Sequence, residues 1–392
     1  MTAVYLNALS WLSALGRGEA AREALFGAQP CGVAPTEAFT PGRSLHLGCV
    51  AQALPQLQDK PPRVRSRTNA LLLVALQDLR PRVQAAIGHW GPARVAVVLG
   101  VSAAGLAEGQ AAARQHAAQG SWPAGYDYAQ QEMGNAADFA RMELGTAGPT
   151  YTVSTACSSG AKALATGARL LRAGVADAVV AGGVDALSGF TIAGFSALES
   201  VSAQRCNPLS RNRCGINIGE GAALFLMTRQ AGPVRLAGWG ESSDAHHMSA
   251  PEPGGRGAVA AMTHALARAQ VGADKIGYVN LHGTATPHND AMESLAVSQV
   301  LGLDVPVSST KPLTGHALAA AGAIEAAVAW HTLVDNPSGR LPPHWWDGAR
   351  DDALPALRLA RAGETLGQAP RHVLSNSFAF GGNNASLVLA GE

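Results

Sequence analysis

Short apolar runs alternate along the chain with longer stretches of helical periodicity. The clearest runs in the first part of the chain are 94–100, 150–155, 177–184 and 221–227, and each predicts a buried β-strand. Between two of them, residues 157–174 carry apolar side chains at helical spacing, which predicts an amphipathic helix. This strand–helix–strand alternation is typical of a mostly parallel sheet covered by helices.

A second series of elements follows a Gly/Pro-rich break at residues 231–240. Its predicted elements are a helix at 256–270, a strand at 276–281, a helix at 291–302, a strand at 305–309, a helix at 316–333, and strands at 372–378 and 384–391. Because both series have the same element order, we expect two similar halves, residues 1–230 and 231–392. Residues 335–353 are irregular, and we expect them to form an ordered surface loop.

Composition narrows the classes of protein that fit this pattern. The 392 residues contain 29 Lys+Arg and 28 Asp+Glu, so the net charge of +1 excludes nucleic-acid binding through bulk charge. No stretch of 18 apolar residues predicts a membrane span, and the N-terminal segment lacks the basic start of a signal peptide. The five cysteines form no CxxC pair or Cys/His cluster, so we expect neither a disulfide framework nor a metal site. A cytoplasmic protein is expected.

Cys157 lies in VSTACSSGAKAL, between a predicted strand and the start of a helix. The free N–H groups and positive dipole end of a helix favour a thiolate, so this position predicts a reactive cysteine. The alternative is a small buried hydrophobe, which is the commoner role of a single cysteine.

Two histidines have glycine neighbours at comparable positions. His282 follows a predicted strand in NLHGTATPHND, and His316 begins a predicted small-residue helix in SSTKPLTGHALAAAG. Each alone could be a capping or core histidine. Cys157 and the two histidines each lie at the end of a predicted strand or helix. Together they predict a site with one nucleophile and two hydrogen-bond donors.

The segments around these residues resemble elongating β-ketoacyl-acyl carrier protein synthases. The resemblance is carried by residues 14–33, 134–187 and 207–227, by the two histidine segments and by NSFAFGGNN (376–384), in the family's order. It implies an α/β, thiolase-like fold in which two similar halves form a layered αβαβα arrangement with mixed sheets.

The resemblance also implies roles for the residues of the constellation. Cys157 would accept the acyl chain as a thioester, and His282 and His316 would donate hydrogen bonds to the malonyl thioester carbonyl as carbon dioxide leaves. The backbone N–H groups of Cys157 and Phe380 would form a second oxyanion site.

Further residues match the family's supporting positions. Lys311 would pair with Glu325 and orient the nearby histidine, and Thr284 and Thr286 would bind the phosphopantetheine arm. Phe378 would belong, with the oxyanion phenylalanine, to a mobile gating loop. Each residue also has an ordinary structural alternative: a solvated loop residue for Lys311, turn residues for Thr284 and Thr286, and core aromatic residues for Phe378 and Phe380.

The chain also departs from the family's pattern. Ala379 stands where the family commonly has glycine. Ala285 stands where the family often has glycine or serine. NPLS at 207–210 replaces Arg-Pro-Phe-Asp, which is expected to leave Arg213 without its acidic neighbour. These departures concern gating and acyl-chain preference.

Three arginines, Arg63, Arg65 and Arg67, precede an apolar helix. Because acyl carrier proteins are acidic, these side chains are predicted to steer carrier docking. A solvated helix start explains them equally well.

The resemblance implies decarboxylative Claisen condensation with malonyl-acyl carrier protein, extending an acyl-cysteine by two carbons in a specialised, aryl polyene or polyunsaturated acyl pathway. Primary fatty-acid elongation is the alternative, and a tunnel-shaping chain-length-factor partner is the alternative from another class. Such partners lack the nucleophilic cysteine, and degradative thiolases need a late cysteine that is missing after Cys214. The expected partners are acyl carrier protein and a second subunit, in a homodimer or a heterodimer with a chain-length factor. No cofactor beyond the substrate's phosphopantetheine is expected, and no metal, nucleic acid or membrane.

Overall fold

The computed structural model describes residues 2–27 and 31–392, so Met1 and residues 28–30 of the predicted first half lie outside the described residues. Its strands are β1 (Tyr5–Ser13), β2 (Gly16–Arg17), β3 (Ala34–Thr36), β4 (Leu45–Leu47), β5 (Val95–Gly100), β6 (Thr150–Val153), β7 (Ala178–Asp185), β8 (Gly221–Thr228), β9 (Val234–Ser243), β10 (Tyr278–Asn280), β11 (Pro306–Ser308), β12 (Arg358–Leu359), β13 (His372–Ala379) and β14 (Asn383–Gly391). Its α-helices are α1 (Gly18–Leu25), α2 (Arg67–Trp90), α3 (Leu106–Gln119), α4 (Asn135–Leu144), α5 (Ser159–Arg172), α6 (Gly189–Ala197), α7 (Arg256–Ala269), α8 (Pro287–Leu301), α9 (Lys311–Thr314) and α10 (Ala321–Leu333).

One mixed sheet runs through both halves of the chain, in the order β12-β11-β10-β13-β14-β9-β1-β8-β7-β5-β6, with β2 paired to β1. The strand order is the same in each half. From the centre of the sheet outward, the first half runs β1, β8, β7, β5, β6, and the second half runs β9, β14, β13, β10, β11 in the corresponding order, followed by β12. The parallel and antiparallel pairings also correspond, and β1 and β9 join the halves. The predicted boundary at residue 230 stays a prediction.

Helices cover the sheet in layers. α5 and α10 contact each other between the two parts of the sheet, α2 and α4 cover the outer face of the first half, and α7 and α8 cover the outer face of the second. Small residues allow the central helices to approach closely. A Cβ on Gly160 would lie 2.8 Å from the Ala319 oxygen and the Ala323 nitrogen. The predicted layered α/β fold is therefore confirmed.

The predicted elements of the second series are present, with two corrections. The Gly/Pro-rich stretch 231–240 is not a break, because β9 begins at Val234. Its glycines serve packing: a Cβ on Gly238 or Gly240 would collide with carbonyl oxygens of α7. The helix predicted from residue 316 begins at Ala321, after a 3₁₀ turn. Residues 335–353 contain neither a helix nor an extended strand, as predicted, but Asn336, Leu341 and His344 are buried, so the segment is only partly a surface loop.

No helix in the described part of the chain combines the length and the apolar composition needed to pass through a bilayer.

Candidate active site

The nucleophile candidate Cys157 lies on the turn between β6 and α5, with 5% of its surface exposed. The preceding residue, Ala156, has a φ of +52°, a left-handed conformation that a residue with a Cβ seldom adopts. Ser159 stabilises this turn: its hydroxyl accepts the Thr155 N–H at 2.8 Å and donates to the Ala156 carbonyl at 2.6 Å. The turn therefore holds the thiol immediately before the first turn of α5.

The two predicted histidines lie beside this thiol. His316 Nε2 is 2.9 Å from Cys157 Sγ, and the His282 and His316 rings are 5.3 Å apart at an interplanar angle of 84°. Both histidines are 2% exposed. The structure thus brings together the three residues on which the resemblance depends.

His282 follows β10 and is fixed through its backbone. Its N–H and that of Gly283 donate to the two carboxylate oxygens of Glu293, at 2.8 and 2.7 Å. Glu293 lies on α8, is completely buried, and has its pKa raised to about 7 by burial. The sequence analysis missed Glu293, although an acidic residue on the buried side of a predicted helix was a detectable signal.

His316 is held in an extended segment rather than at a helix start. Its N–H donates to the Asn217 carbonyl at 2.6 Å, and its carbonyl accepts the Gly219 N–H at 2.9 Å. Gly315, with φ +69°, makes the turn that precedes it, with its Cα against the Gly219 backbone. This pairing, which joins residues a hundred positions apart, corrects the prediction that His316 begins a helix.

Lys311 and Glu325 form a buried ion pair beneath the histidines, with 2% and 3% of their surfaces exposed. The Lys311 ammonium donates to Glu325 Oε1 and to the His282 carbonyl, and its Nζ is 3.4 Å from His282 Nδ1. Burial raises the pKa of Glu325 to about 7, against the lowering effect of the Lys311 charge. Lys311 therefore contacts both the backbone and the ring of His282.

Burial sets the protonation of the trio. It raises the pKa of Cys157 to about 12, although the Lys311 charge and the Phe380 N–H both lower it. Burial and the Lys311 charge together hold the pKa of His282 and of His316 well below the ordinary 6.5. The free site at neutral pH thus contains a thiol and two neutral imidazoles. The helix end favours a thiolate, and loss of solvent at this buried position opposes it.

The predicted oxyanion and gating residues line the same cavity as the thiol. The Phe380 N–H hydrogen-bonds Cys157, and the Phe380 ring is 5.6 Å from that of Phe195 on α6. Phe378 packs against His282 with ring centroids 6.4 Å apart. Gly381 follows with φ +77°, and its N–H donates to the Met248 carbonyl at 2.8 Å.

Cys157 lies between two cavities. One, of about 70 Å³, is lined by both histidines, Phe378 and Phe380 and also by Thr284 and Thr286. The other, of about 220 Å³, is lined by Ser102, Thr191, Phe195 and Leu318. A larger groove of about 980 Å³ at residues 344–364 includes no member of the trio. Two separate spaces meeting at one thiol can hold two substrates in turn.

A buried aspartate, Asp185, holds the backbone beside the second cavity, and its role was not predicted from the sequence. Asp185, at the end of β7, is completely buried and accepts the N–H groups of Ser102, Ala103 and Ala319 at 3.0, 2.8 and 2.9 Å. Burial raises the pKa of Asp185 to about 6. An aspartate closing an apolar strand was the available signal, whereas nothing in the sequence pointed to Phe195.

The two threonines predicted to bind the pantetheine arm face the first cavity. Their hydroxyl oxygens, on Thr284 and Thr286, are 2.9 Å apart. Between them Ala285 has φ +64°, a conformation that glycine adopts more readily, and its N–H donates to the Asp290 carboxylate at 3.1 Å. This hydrogen bond from Ala285 to Asp290 stabilises the turn, in which alanine is strained because its φ is positive.

The predicted docking cluster divides into two kinds of residue. Arg67 binds the fully buried Glu220 through two hydrogen bonds of 2.8 and 2.5 Å, with 36% of its own side chain exposed. Arg65 donates to the Lys60 and Gln58 carbonyls at 2.8 and 2.9 Å. Arg63 is exposed, and the other two arginines are half-buried. For all three arginines docking stays a prediction.

The NPLS departure does not leave Arg213 unpaired. Its Nη1 is 2.5 Å from Asp351, a residue of the irregular segment after α10, so a distant acid pairs with Arg213 although the customary acidic neighbour is absent. The same segment supplies Asp347, whose carboxylate accepts the Ser210 hydroxyl at 2.8 Å. An acid far along the chain thus replaces the adjacent one, which spacing alone could not show.

Most of the chain matches one protein family. The β-ketoacyl synthase N-terminal domain matches residues 47–231, and its C-terminal domain matches residues 234–343. The 3-oxoacyl-[acyl-carrier-protein] synthase 2 of Vibrio cholerae is 35% identical over 268 residues, which cover 62% of this chain and 63% of that protein. The chain thus spans less than two thirds of the length of the curated Vibrio relatives it matches.

Solved structures match over the full chain. The ketosynthase ApeO of Xenorhabdus doucetiae, in complex with its chain length factor ApeC, is 42% identical, with a TM-score of 0.94 and coverage of 100% of this chain and 98% of that one. A β-ketoacyl synthase from Burkholderia phymatum is 27% identical, with a TM-score of 0.86 and full coverage of both chains. Matches to both domains, in order, and likeness over the full length identify this chain as a member of the β-ketoacyl synthase family.

Proposed function

We propose that the protein is a β-ketoacyl-acyl carrier protein synthase, an acyltransferase that extends an acyl chain by two carbons through decarboxylative Claisen condensation. The observation that carries this proposal is the contact of 2.9 Å between Cys157 Sγ and His316 Nε2, with the His282 ring beside it. A nucleophile, an adjacent base and a second imidazole in one buried site are the groups that this reaction needs.

In the first half-reaction the Cys157 thiol passes its proton to His316 Nε2. The thiolate attacks the carbonyl carbon of a carrier-bound acyl thioester, and the resulting oxyanion accepts the N–H groups of Cys157 and Phe380. Collapse of this intermediate breaks the bond to the carrier sulfur, which leaves with the proton held by His316. The acyl chain enters the cavity of about 220 Å³, where Phe195 supplies an aromatic wall.

In the second half-reaction malonyl-acyl carrier protein enters the other cavity, with its pantetheine arm along Thr284 and Thr286. The bond between the malonyl α-carbon and the carboxylate breaks, carbon dioxide leaves, and negative charge develops on the thioester oxygen. Hydrogen bonds from His282 and His316 stabilise this enolate, whose carbon then attacks acyl-Cys157 and expels the cysteine sulfur.

The contacts of the two rings suit these different tasks. His282 Nδ1 faces the Lys311 ammonium and accepts from it, so the His282 proton lies on Nε2, ready to donate. Among the described residues nothing hydrogen-bonds His316 Nδ1. No contact therefore fixes the His316 tautomer, and Nε2 can accept in one half-reaction and donate in the other.

The expected partners are acyl carrier protein and a second subunit, in a homodimer or a heterodimer with a chain-length factor, in the cytoplasm. Identity of 42% over the whole chain to a ketosynthase with a chain length factor supports the heterodimer and a specialised, aryl polyene-type pathway. Primary fatty-acid elongation is the second candidate, favoured by 35% identity to a synthase 2 over 62% of the chain. The proposed chemistry uses no metal and no organic cofactor besides the carrier's phosphopantetheine.

The test is a two-step reconstitution. The protein is first loaded with a carrier-bound acyl group and then mixed with malonyl carrier labelled with carbon-13 in the free carboxylate. We expect labelled carbon dioxide and a 3-oxoacyl carrier longer by two carbons, in equal amounts. Cys157→Ala should abolish the product, whereas Cys206→Ala, at a buried cysteine outside both cavities, should retain it. Absence of product with every acyl carrier, alone or with a chain-length factor, would refute the enzymatic proposal.

A further inference from the structure

The trio in the active site is also a set of donors that soft divalent cations bind. One sulfur and two imidazole nitrogens, from Cys157, His282 and His316, lie within 4.8 Å of one another, and all three side chains are buried. One cysteine and two histidines with an open fourth position are the kind of donor set that binds Zn²⁺ in proteins.

The spacing of the trio is close to that of a tetrahedral site. With bonds of about 2.3 Å to sulfur and 2.0 Å to nitrogen, the donors of a zinc site lie roughly 3.3 to 3.6 Å apart. Cys157 Sγ and His316 Nε2 are 2.9 Å apart, so small side-chain rotations would admit an ion. The adjoining cavity of about 70 Å³ has room for a water as fourth ligand. An enzyme with this arrangement is open to poisoning by zinc unless something opposes it.

Lys311 is placed to oppose it. Its three N–H donors meet the Glu325 carboxylate, the His282 carbonyl and, at 3.4 Å, His282 Nδ1. Donation to Nδ1 leaves the ring proton on Nε2, so neither nitrogen of His282 offers a free lone pair to a metal. The ammonium is 2% exposed, so solvent screens its repulsion of a cation only weakly.

We propose that Lys311 excludes soft divalent cations from the Cys157–His282–His316 trio, and that removing its charge converts the trio into a Zn²⁺ site. Without the ammonium, the His282 proton can move to Nδ1 and Nε2 becomes a ligand. Zinc binding then displaces the thiol proton of Cys157 to solvent, and the ion is held by one thiolate and two neutral imidazoles.

The experiment compares metal binding by the full chain and two lysine variants, without substrate. Lys311→Met removes the charge at similar volume. Lys162→Met makes the same change at a half-buried lysine of α5, which contacts Asn383 at 3.1 Å outside the trio. Since Lys311→Met leaves Glu325 buried and unpaired, Lys311→Met/Glu325→Gln is included as a folded alternative. The probes are Co²⁺, followed by the thiolate-to-cobalt and tetrahedral absorption bands, and Zn²⁺, measured by competition with a chelator.

The expected result is that one Zn²⁺ per chain binds the Lys311 variants at least about tenfold more tightly than the wild type or Lys162→Met. The cobalt bands should disappear when Cys157→Ala is added. Equal affinity of wild type and Lys311 variants would overturn the proposal, as would bands that survive Cys157→Ala. Failure of both Lys311 variants to bind either ion would show that the trio is no metal site. None of these outcomes depends on condensation activity.

Discussion

His316 Nε2 lies 2.9 Å from Cys157 Sγ, although 159 residues separate the two in the chain. The contact joins the turn before α5 to the segment that runs into α10, the two helices of the central layer. In a buried site, a neutral imidazole at this distance is the available acceptor for the thiol proton. The proposed reaction therefore begins with this pair.

The pH dependence of Cys157 alkylation tests how the thiol is activated in the free enzyme. With burial raising the pKa of Cys157 to about 12, the thiolate fraction should rise about tenfold per pH unit. Inactivation by iodoacetamide should therefore accelerate between about pH 6 and pH 9 without a plateau. A plateau below about pH 8 would contradict this and would indicate a thiolate–imidazolium pair.

The two histidines should separate in single-turnover measurements. His282→Ala should leave acylation of Cys157 nearly unchanged and slow malonyl decarboxylation about 10²–10³-fold, the usual effect of losing one oxyanion donor. His316→Ala should slow both steps, because His316 contacts the sulfur. The control is His89→Ala, at an exposed position near the end of α2. Equal slowing of both steps by His282→Ala would contradict the assigned role.

The buried ion pair should control stability in a pH-dependent way. Lys311→Met removes the cation beside Glu325, whose pKa burial already raises to about 7 from 4.5. A carboxyl with a raised pKa in the folded state contributes stability below its unfolded pKa, and that contribution is lost as the pH rises through the folded pKa. The deficit of Lys311→Met against wild type in urea unfolding should thus be larger near about pH 8 than near about pH 5, by up to about 1.4 kcal/mol, because wild type itself loses this contribution up to about pH 7.

The matched variant for this measurement is Lys311→Met/Glu325→Gln, which removes both charges. Its unfolding free energy should recover most of the loss at the higher pH. A pH-independent deficit shared by both variants would show that lost packing, not the buried charge, is responsible.

The two ends of the arginine cluster should respond differently. Arg63→Glu should raise the KM for acyl-carrier substrates and spare small acyl thioesters, because Arg63 is exposed. Arg67→Ala should lower the free energy of unfolding by about 1–3 kcal/mol, because the buried Glu220 loses its two hydrogen bonds from Arg67 and keeps only the N–H groups of Val50 and Leu187. An unchanged KM for acyl-carrier substrates in Arg63→Glu would refute carrier docking by Arg63. Unchanged stability in Arg67→Ala would show that the Arg67–Glu220 pair does not stabilise the fold.

Local patterns were sufficient to predict the core elements. The apolar runs that became β5, β7 and β8 are buried at every residue, so their hydrophobicity identified them without tertiary information. β9 was wrongly predicted to be a break. Its glycines allow α7 to pack closely against the strand, but in the sequence they cannot be distinguished from the glycines of a turn.

The site was predictable as a set of residues but not as an electrostatic environment. Glycine-flanked Cys157, His282 and His316 stood out in the sequence, whereas the thiol's protonation depends on burial, which only the packed fold determines. Arg213 pairs with Asp351, 138 positions away in the chain, and Arg67 pairs with Glu220, 153 positions away. Sequence spacing carries no information about pairs of this kind.

The central claim is that Cys157 carries the acyl chain, and intact-mass spectrometry after incubation with acyl-carrier thioesters tests it most directly. Wild type should gain the mass of one acyl group, mapped by peptide analysis to Cys157 and discharged by malonyl carrier, while Cys157→Ala should gain none. An acyl group that remains on Cys157→Ala, or one that malonyl carrier cannot discharge from the wild type, would contradict it.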